Sequence, residues 1–314
     1  MGNSFVTRIS TDSNHNEFFR WTLIAAHWHT ISKTIGRILV LHHSLAILGF
    51  GYTAKFFLPL AEQHYAQVFA SSRDPDRHLL GVRKEQRIKF DFTQPETWPL
   101  LPPATDLLWC FPVVPIELIQ RFAETALLRT RRLVVLGSTS AYDDSPSTAY
   151  PPPWVDETAK IDLRKPRVQG EELLRTSYRA ITLRVSGIYG PRRNPIDWIR
   201  TGRVGRSQKF VNLIHVEDLA STCLAALRQG KQGEIYNVSD GTPRTWEEIC
   251  RTVERRWAVR SSVSPEPQPM GKRIANQRMC KLLNADGASL RYEDLYHALE
   301  RIQAATFNEA EPSR

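Results

Sequence analysis

Leu45-Ala-Ile-Leu48-Gly49-Phe50-Gly51-Tyr52-Thr53-Ala54 is the stretch that decides the fold, because an apolar run passes directly into closely spaced glycines. The apolar run predicts a buried parallel strand, and residues 55–63 predict a helix that Pro59 kinks or bounds. A G-x-G-x-x-A spacing between strand and helix is typical of a turn that binds a dinucleotide pyrophosphate. Gly49 would make the turn, Gly51 would admit the phosphates, and Ala54 would let the helix pack on the strand.

The helix after the glycines begins at the predicted site. A helix N-terminus offers free N–H groups and the positive end of a dipole to phosphate. Tyr52 and Thr53, which open this helix, are therefore predicted to contact the dinucleotide. A glycine turn with a purely structural role is the alternative.

Composition and charge bound the class of protein. The chain has 314 residues, a mean hydropathy of −0.36 and a net charge of +9, which indicate one large globular domain or two lobes. The charge is compatible with nucleic-acid binding, but no zinc-finger spacing or homeodomain-like arm accompanies it, and an anionic small ligand explains it equally well. The four cysteines are far apart in sequence, which predicts no metal site and favours a reduced, cytoplasmic compartment.

The two ends of the chain lie outside this pattern. Histidines and basic residues interrupt the apolar patches between Trp21 and Leu41, which disfavours a membrane span or a signal-peptide core. We expect residues 1–43 to form a poorly ordered extension; an organelle-targeting or docking helix is the alternative. A polar tail is predicted at residues 306–314.

Further apolar runs alternate with helical segments after the glycine turn. Strands are predicted at residues 66–70, 87–92, 106–111, 132–137 and 184–187, with a helix at 116–129. This alternation is typical of an α/β fold with a doubly wound parallel sheet of the Rossmann type, which binds ligands beyond the carboxyl ends of its strands. The residues predicted to meet in that crevice are Gly49, Ser72, Asp91, Phe111 and Ser138. Asp91 and its neighbour Phe92 are predicted to lie at the adenine.

The end of the second strand bears on cofactor choice. An acidic residue about 20 positions beyond the glycines would bind the ribose 2′-OH of NAD, whereas small hydroxyls and an arginine accommodate a 2′-phosphate. Ser72 and Arg73 stand at this position and favour NADP over NAD. That Arg73 is an ordinary loop charge is the alternative.

Several later segments match one family pattern. They are Ser138-Thr139-Ser140-Ala141-Tyr142, Asp156-Glu157-Thr158, and residues 183–191, 212–220 and 235–240. Together they resemble the extended short-chain dehydrogenase/reductase superfamily, of the NAD-dependent epimerase/dehydratase type, over residues 45–299. The resemblance implies an oxidoreductase or epimerase acting on a small anionic substrate such as a nucleotide sugar. It also implies a small C-terminal substrate lobe formed mainly by residues 191–211 and 241–299, a cofactor contact from Ile188, and it allows a homodimer.

The catalytic pair of that family, Tyr-x-x-x-Lys, is missing. No tyrosine of the chain is followed by lysine at the fourth position. The matching segment places Leu163 at the tyrosine position and Arg167 at the lysine position, and a register one residue later supplies no tyrosine either. Because Leu163 has no titratable proton, it cannot serve the oxygen of a substrate during hydride transfer.

Other residues are candidates for the missing roles. Tyr142 is a candidate acid, Ser138 or Thr139 would hold the substrate oxygen, and Arg167 would hydrogen-bond the nicotinamide ribose. The alternatives are that Tyr142 is only a wall of the pocket and that the chain is a catalytically inactive NADP(H)-binding regulatory or scaffold protein.

A basic segment follows the sixth predicted strand. It predicts a cationic lining for phosphate or carboxylate, with a solvated loop as the alternative. The basic residues are Arg192, Arg193, Arg200, Arg203, Arg206 and Lys209.

Overall fold

The computed structural model describes residues 43–103, 105–144, 148–263 and 270–310, with side chains up to residue 305. The predicted N-terminal extension lies outside the described residues apart from His43. The predicted tail begins inside a helix, because the backbone of Leu295–Ala310 is helical.

Seven parallel strands form the central sheet. They are β1 (Ser44–Leu48), β2 (Gln67–Ser72), β3 (Arg87–Lys89), β4 (Asp106–Trp109), β5 (Arg132–Ser138), β6 (Ile181–Val185) and β7 (Ile235–Val238). Their spatial order is β3-β2-β1-β4-β5-β6-β7, so the direction of winding reverses between β1 and β4. This order confirms the predicted doubly wound Rossmann-type sheet, whose ligand crevice lies at the switch between β1 and β4.

The sixth strand begins at Ile181 rather than at residue 184, where the sequence pattern placed it. All five of its residues are buried, and Arg184 is among them with 1% exposure. The guanidinium of Arg184 is neutralised inside the fold by Glu172, at 2.9 Å, and by Glu171, at 4.0 Å. A buried charge within a strand interrupts the apolar run, and this is the reason that the predicted boundary was wrong.

Helices cover both faces of the sheet. They are α1 (Tyr52–Ala61), α2 (Pro75–His78), α3 (Ile116–Thr125), α4 (Pro166–Tyr178), α5 (Pro195–Arg200), α6 (Val216–Gln229), α7 (Trp246–Trp257), α8 (Gln277–Ala285) and α9 (Leu295–Ala310). Alternate residues of β1 point to opposite sides: Leu45 and Ile47 pack with α1, α6 and α8, while Ala46 and Leu48 pack with α3 and α4. Both faces of β1 are therefore buried, as expected for a central parallel strand.

A smaller lobe has its own hydrophobic cluster, formed by α5, α7 and α9. Three two-stranded ladders connect it to the sheet domain. They pair Gly187–Tyr189 with Leu213–His215, Phe210–Val211 with Arg244–Thr245, and Trp154–Val155 with Arg273–Ile274. The segments of this lobe lie near the carboxyl ends of β5 and β6, so they face the predicted crevice.

The described ranges contain neither a helix that could span a membrane nor a cluster of side chains that could bind a metal ion. None of the helices in these ranges has both the length and the apolar character that crossing a bilayer requires. The same ranges hold no group of three or more His, Cys, Asp or Glu side chains arranged to bind a metal ion. All four cysteines are free thiols.

The packing of α4 yields a stability prediction. An added Cβ at Gly170, inside α4, would lie 2.3 Å from the carbonyl oxygen of Val113 and 2.8 Å from Cδ1 of Ile119. Glycine to alanine in a helix interior ordinarily stabilises by about 1 kcal/mol. We expect Gly170→Ala to lower the free energy of unfolding by about 1–3 kcal/mol instead, because the added methyl overpacks this contact.

Denaturant unfolding measures this difference. Gly81→Ala is the control, since an added Cβ there meets no atom within 4 Å, and its stability should stay within about 0.5 kcal/mol of the wild type. A Gly170→Ala variant as stable as the wild type would contradict the contact between α4 and the segment after β4.

Candidate functional site

The turn from β1 into α1 requires its first glycine and leaves its second one open. Gly49 has a φ of +87°, and a side chain there would lie 2.9 Å from Cδ1 of Phe111. Gly51 immediately precedes α1, and a Cβ added to it would meet no atom within 4 Å. No side chain caps the first turn of α1, so its N–H groups are free for a ligand. These features fit a pyrophosphate bound at the helix N-terminus.

The residues that open α1 lie in two different environments. The hydroxyl of Tyr52 donates to the carbonyl oxygen of Pro191 at 3.0 Å, and the guanidinium of Arg193 lies 5.6 Å from the centroid of its ring. Tyr52 therefore ties the glycine turn to the start of the lobe, and burial raises its pKa to about 12. Thr53 and Ala54 have buried side chains, so they offer a ligand mainly their backbone.

The carboxyl end of β2 lies beside the glycine turn. Ser71 is buried, and its Oγ accepts a hydrogen bond from the N–H of Gly49 at 3.3 Å. The Oγ of Ser72 lies 2.8 Å from Nδ1 of His78. Arg73 is exposed and forms no ion pair with another residue of the described ranges. Asp74 accepts the N–H of Arg77 and so caps α2. This arrangement places a hydroxyl and an imidazole in contact at the end of β2, next in sequence to exposed Arg73, whose charge helps to lower the pKa of Asp91.

The other residues predicted to contact the cofactor lie partly at the crevice and partly in the hydrophobic core. The carboxylate of Asp91 accepts hydrogen bonds from the hydroxyl and the N–H of Thr93, and these bonds lower its pKa. The ring of Phe92 packs in the buried aromatic cluster, at 5.1 Å from Trp109, so it is a core residue. Phe111 lies against Gly49, and half-buried Ile188 packs against the core under α1 and α6.

A cavity of about 690 Å³ lies where the carboxyl ends of β5 and β6 face the lobe. Its lining includes Ser138, Thr139, Ser140, Tyr142, Asp143, Val185, Ser186, Trp198, Lys209, Phe210, Asn212, Trp246 and Lys272. Three of the four predicted catalytic residues, Ser138, Thr139 and Tyr142, therefore line the same cavity. A second cavity, of about 600 Å³, opens near Thr105 and Thr130, which precede β4 and β5, and contains none of the predicted site residues.

Comparison with known proteins gives matches among solved structures. No family model matches the chain, and no curated protein sequence matches it. A short-chain dehydrogenase/reductase superfamily protein from Agrobacterium tumefaciens with bound NAD is similar over 85% of this chain and 98% of its own, with a TM-score of 0.68 and 14% identity. The chain has the short-chain dehydrogenase/reductase fold.

Two further solved structures have the same fold. A protein described as an NAD-dependent epimerase/dehydratase from Methylobacillus flagellatus has 23% identity and a TM-score of 0.66, over 85% of this chain and 99% of its own. The UDP-N-acetylglucosamine 4-epimerase from Bacillus cereus has 15% identity and a TM-score of 0.63, over 84% of this chain and 99% of its own. The likeness thus spans both the sheet and the lobe.

Leu163 and Arg167, which the sequence pattern placed at the positions of the catalytic pair, lie around the start of α4. Leu163 precedes α4 and is 54% exposed. Arg167, in the first turn of α4, donates from Nε to the buried carboxylate of Glu171 at 3.1 Å and weakly to the carbonyl oxygen of Leu136 at 3.4 Å. The guanidinium of Arg167 is therefore held largely by its own helix.

Tyr142 is a buried wall of the cavity. Its hydroxyl donates to Oδ1 of Asn237 at 2.7 Å, and the guanidinium of Arg184 lies 4.9 Å from the centroid of its ring. Burial raises the pKa of Tyr142, so the phenol stays protonated near neutral pH. An activated catalytic phenol would need the opposite shift, and this geometry favours the role of a wall.

Three charged residues that the sequence pattern did not assign meet at the cavity. Lys165 donates from Nζ to Asp143 and to the carbonyl oxygen of Ser140, each at 2.7 Å. Lys272, from the lobe, donates to Asp143 as well and to the carbonyl oxygen of Thr139 at 3.0 Å. Burial opposes ionisation of Asp143, yet the hydrogen bonds from both lysines hold its pKa below the ordinary value. This lysine-aspartate bridge fixes the loop after β5 against α4 and the lobe.

The basic segment contributes one basic residue to the cavity lining, which corrects the predicted cationic lining. Arg200 pairs with Asp197 and Arg206 with Glu254, while Arg193 lies over Tyr52. Of the six basic residues, Lys209 alone lines the cavity, and it forms no ion pair with another residue in the described part of the chain.

The hydrogen bond of Tyr142 yields a stability prediction. Tyr142→Phe keeps the ring and removes the hydroxyl, which leaves the buried Oδ1 of Asn237 without its partner. We expect the free energy of unfolding to fall by about 1–3 kcal/mol, measured by denaturant unfolding. Tyr178→Phe is the control, because that hydroxyl has no hydrogen bond to another described residue. Equal stabilities of the two variants would show that the Tyr142–Asn237 bond contributes nothing.

Proposed function

We propose that this chain binds a nicotinamide dinucleotide at the turn of Gly49 and Gly51 and acts as an oxidoreductase or epimerase on a small anionic substrate. The supporting observation is that the open face of Gly51, the uncapped start of α1 and the large cavity lie at the same edge of the sheet. The names of the similar structures, which include a protein with bound NAD and a nucleotide-sugar epimerase, support the same proposal. A nucleotide sugar is accordingly one anionic substrate to test.

Within this proposal the cofactor is NADP(H) rather than NAD(H). Positions 71–73, at the end of β2, carry no carboxylate for a ribose diol, and the nearby carboxylate of Asp74 is used to cap α2. Ser72 supplies a hydroxyl and Arg73 an unpaired guanidinium, which together suit a 2′-phosphate. The bound NAD of the Agrobacterium protein makes this choice the one that most needs a direct test.

In the proposed reaction the cofactor and the protein would have different roles. A bound nicotinamide ring would supply hydride transfer. The chain would hold the substrate oxygen through the hydroxyls of Ser138 and Thr139, at the carboxyl end of β5. These hydroxyls orient and donate, but they do not titrate near neutral pH, so the substrate or solvent would have to take part in moving the proton.

A second candidate function follows from the same residues. Leu163 offers no proton, the hydroxyl of Tyr142 is bonded to Asn237, and Arg167 is bonded to Glu171. These observations favour a catalytically inactive NADP(H)-binding regulatory or scaffold protein. Substrate turnover separates the two candidates, while both require dinucleotide binding. The four free thiols support placing either one in a reduced, cytoplasmic compartment.

The open face of Gly51 gives a direct test of the binding site. Gly51→Val should fold normally, because nothing in the described structure lies within 4 Å of its Cβ, but the side chain would occupy the space of the pyrophosphate. We expect NADPH binding to fall by at least about 100-fold in isothermal titration calorimetry, the equivalent of about 2.7 kcal/mol. Gly81→Val serves as the folding control. Unchanged NADPH affinity in Gly51→Val would place the cofactor elsewhere or nowhere.

The cofactor preference has its own test. Arg73→Ala should weaken NADPH binding by about 10- to 100-fold, since a charge-assisted hydrogen bond to phosphate contributes about 1.5–3 kcal/mol, and should leave NADH binding unchanged. Arg77→Ala, an exposed arginine on α2, is the matched control for general charge effects. Equal losses for both cofactors in Arg73→Ala would argue against a 2′-phosphate contact.

A further inference from the structure

The cavity carries a more specific indication of its ligand. We infer that the ligand is a planar aromatic compound with one acidic group, bound by Lys209, rather than a nucleotide sugar. This inference rests on the proposed function in one respect, that the cavity is the substrate site. The inference depends on which lining groups are already bonded within the protein and which are left for a ligand.

Aromatic rings form the lobe side of the cavity. Trp198 and Trp246 lie with ring centroids 6.3 Å apart at an interplanar angle of 74°, and both are half-buried against the hydrophobic cluster of the lobe. Phe210, also half-buried, packs on Tyr150 at 5.7 Å. The remaining lobe side and floor are largely apolar, with Pro152, Pro153, Val155, Val185, Val211 and Leu213. Such walls suit stacked and edge-on contacts with a flat ring.

Lys209 is the lysine of the cavity lining that pairs with no carboxylate of the described residues. Lys272 and Lys165 both donate to Asp143 and to main-chain carbonyl oxygens, so their charges are engaged inside the protein. Lys209 has no ion-pair partner within the described ranges, and its carbonyl oxygen accepts the N–H of Trp246 at 3.1 Å. Lys209 and Trp246 are therefore neighbours on the lining of the cavity. One ammonium matches a single carboxylate or phosphate, whereas a diphosphate would call for more of the arginines that instead pair elsewhere.

The polar groups of the lining leave few direct contacts for a ligand. Both amide atoms of Asn212 are used, by the carbonyl oxygen of Lys272 and the N–H of Ile274. The Oγ of Ser186 has no hydrogen-bond partner in the described structure, but it has almost no accessible surface, so a ligand does not reach it directly. The aromatic rings and Lys209 therefore set the class of the ligand, a planar aromatic acid.

A probe series tests the class by isothermal titration calorimetry on the full chain, with and without saturating NADPH. The probes are cinnamate, cinnamyl alcohol, cyclohexanecarboxylate and UDP-glucose. The alcohol lacks the charge of cinnamate, cyclohexanecarboxylate lacks its aromatic ring and vinyl linker, and UDP-glucose is a nucleotide sugar. We expect cinnamate to bind the NADPH-loaded protein at least about tenfold more tightly than each of the other three. Tighter binding of UDP-glucose, or no measurable binding of cinnamate, would overturn the inference.

Variants assign the contacts. Lys209→Met should remove the advantage of cinnamate over cinnamyl alcohol, and Lys209→Arg should retain it. Trp246→Leu should weaken both aromatic probes and leave cyclohexanecarboxylate unchanged. Lys281→Met, at an exposed lysine of α8, is the control and should bind like the wild type. Unaltered cinnamate affinity in Lys209→Met would refute the role of Lys209. NADPH affinity, measured in the same variants, reports separately on the proposed cofactor site.

Discussion

The chain can pass from β1 into α1 because residue 49 has no side chain. Its backbone adopts a φ of +87° under the ring of Phe111, and its N–H is held by the Oγ of Ser71 at the end of β2. One turn thereby fixes three strand ends, those of β1, β2 and β4, against each other. The open face of Gly51 and the uncapped N–H groups of α1 follow from this geometry, as does the position of Ser72 and Arg73. A larger residue at position 49 would disturb the site and the sheet together.

The lysine-aspartate bridge is the second constraint, because it joins parts of the molecule that are distant in sequence. Asp143 follows β5, Lys165 precedes α4, and Lys272 belongs to the lobe, so the loop that carries Ser138 and Thr139 is held from two sides. Since the lysine hydrogen bonds outweigh the effect of burial and lower its pKa, Asp143 remains an anion near neutral pH. The cavity is shaped by charges that neutralise each other, and among the described residues of its lining Lys209 is the cation without a carboxylate partner.

Local patterns predicted the parts of the structure that local interactions form. The strand-turn-helix at Gly49 is contiguous, and its spacing predicted the turn, while the alternation of apolar runs with helical segments predicted the parallel sheet. The lysine-aspartate bridge could not be predicted, because Lys272 and Asp143 are 129 residues apart. The basic segment was misread for a related reason: its composition records the arginines but not Glu254, 48 residues beyond Arg206, which pairs with that arginine. The burial of Phe92 likewise depends on rings from β4, from the segment after it and from α3.

The account rests on one claim above the others, that the turn at Gly49 and Gly51 holds a nicotinamide dinucleotide. Titration of NADPH into the unmodified protein, followed calorimetrically, measures it without any knowledge of the substrate. The account predicts saturable binding of one NADPH per chain. Absence of heat at millimolar NADPH, from protein shown to be folded, would contradict it.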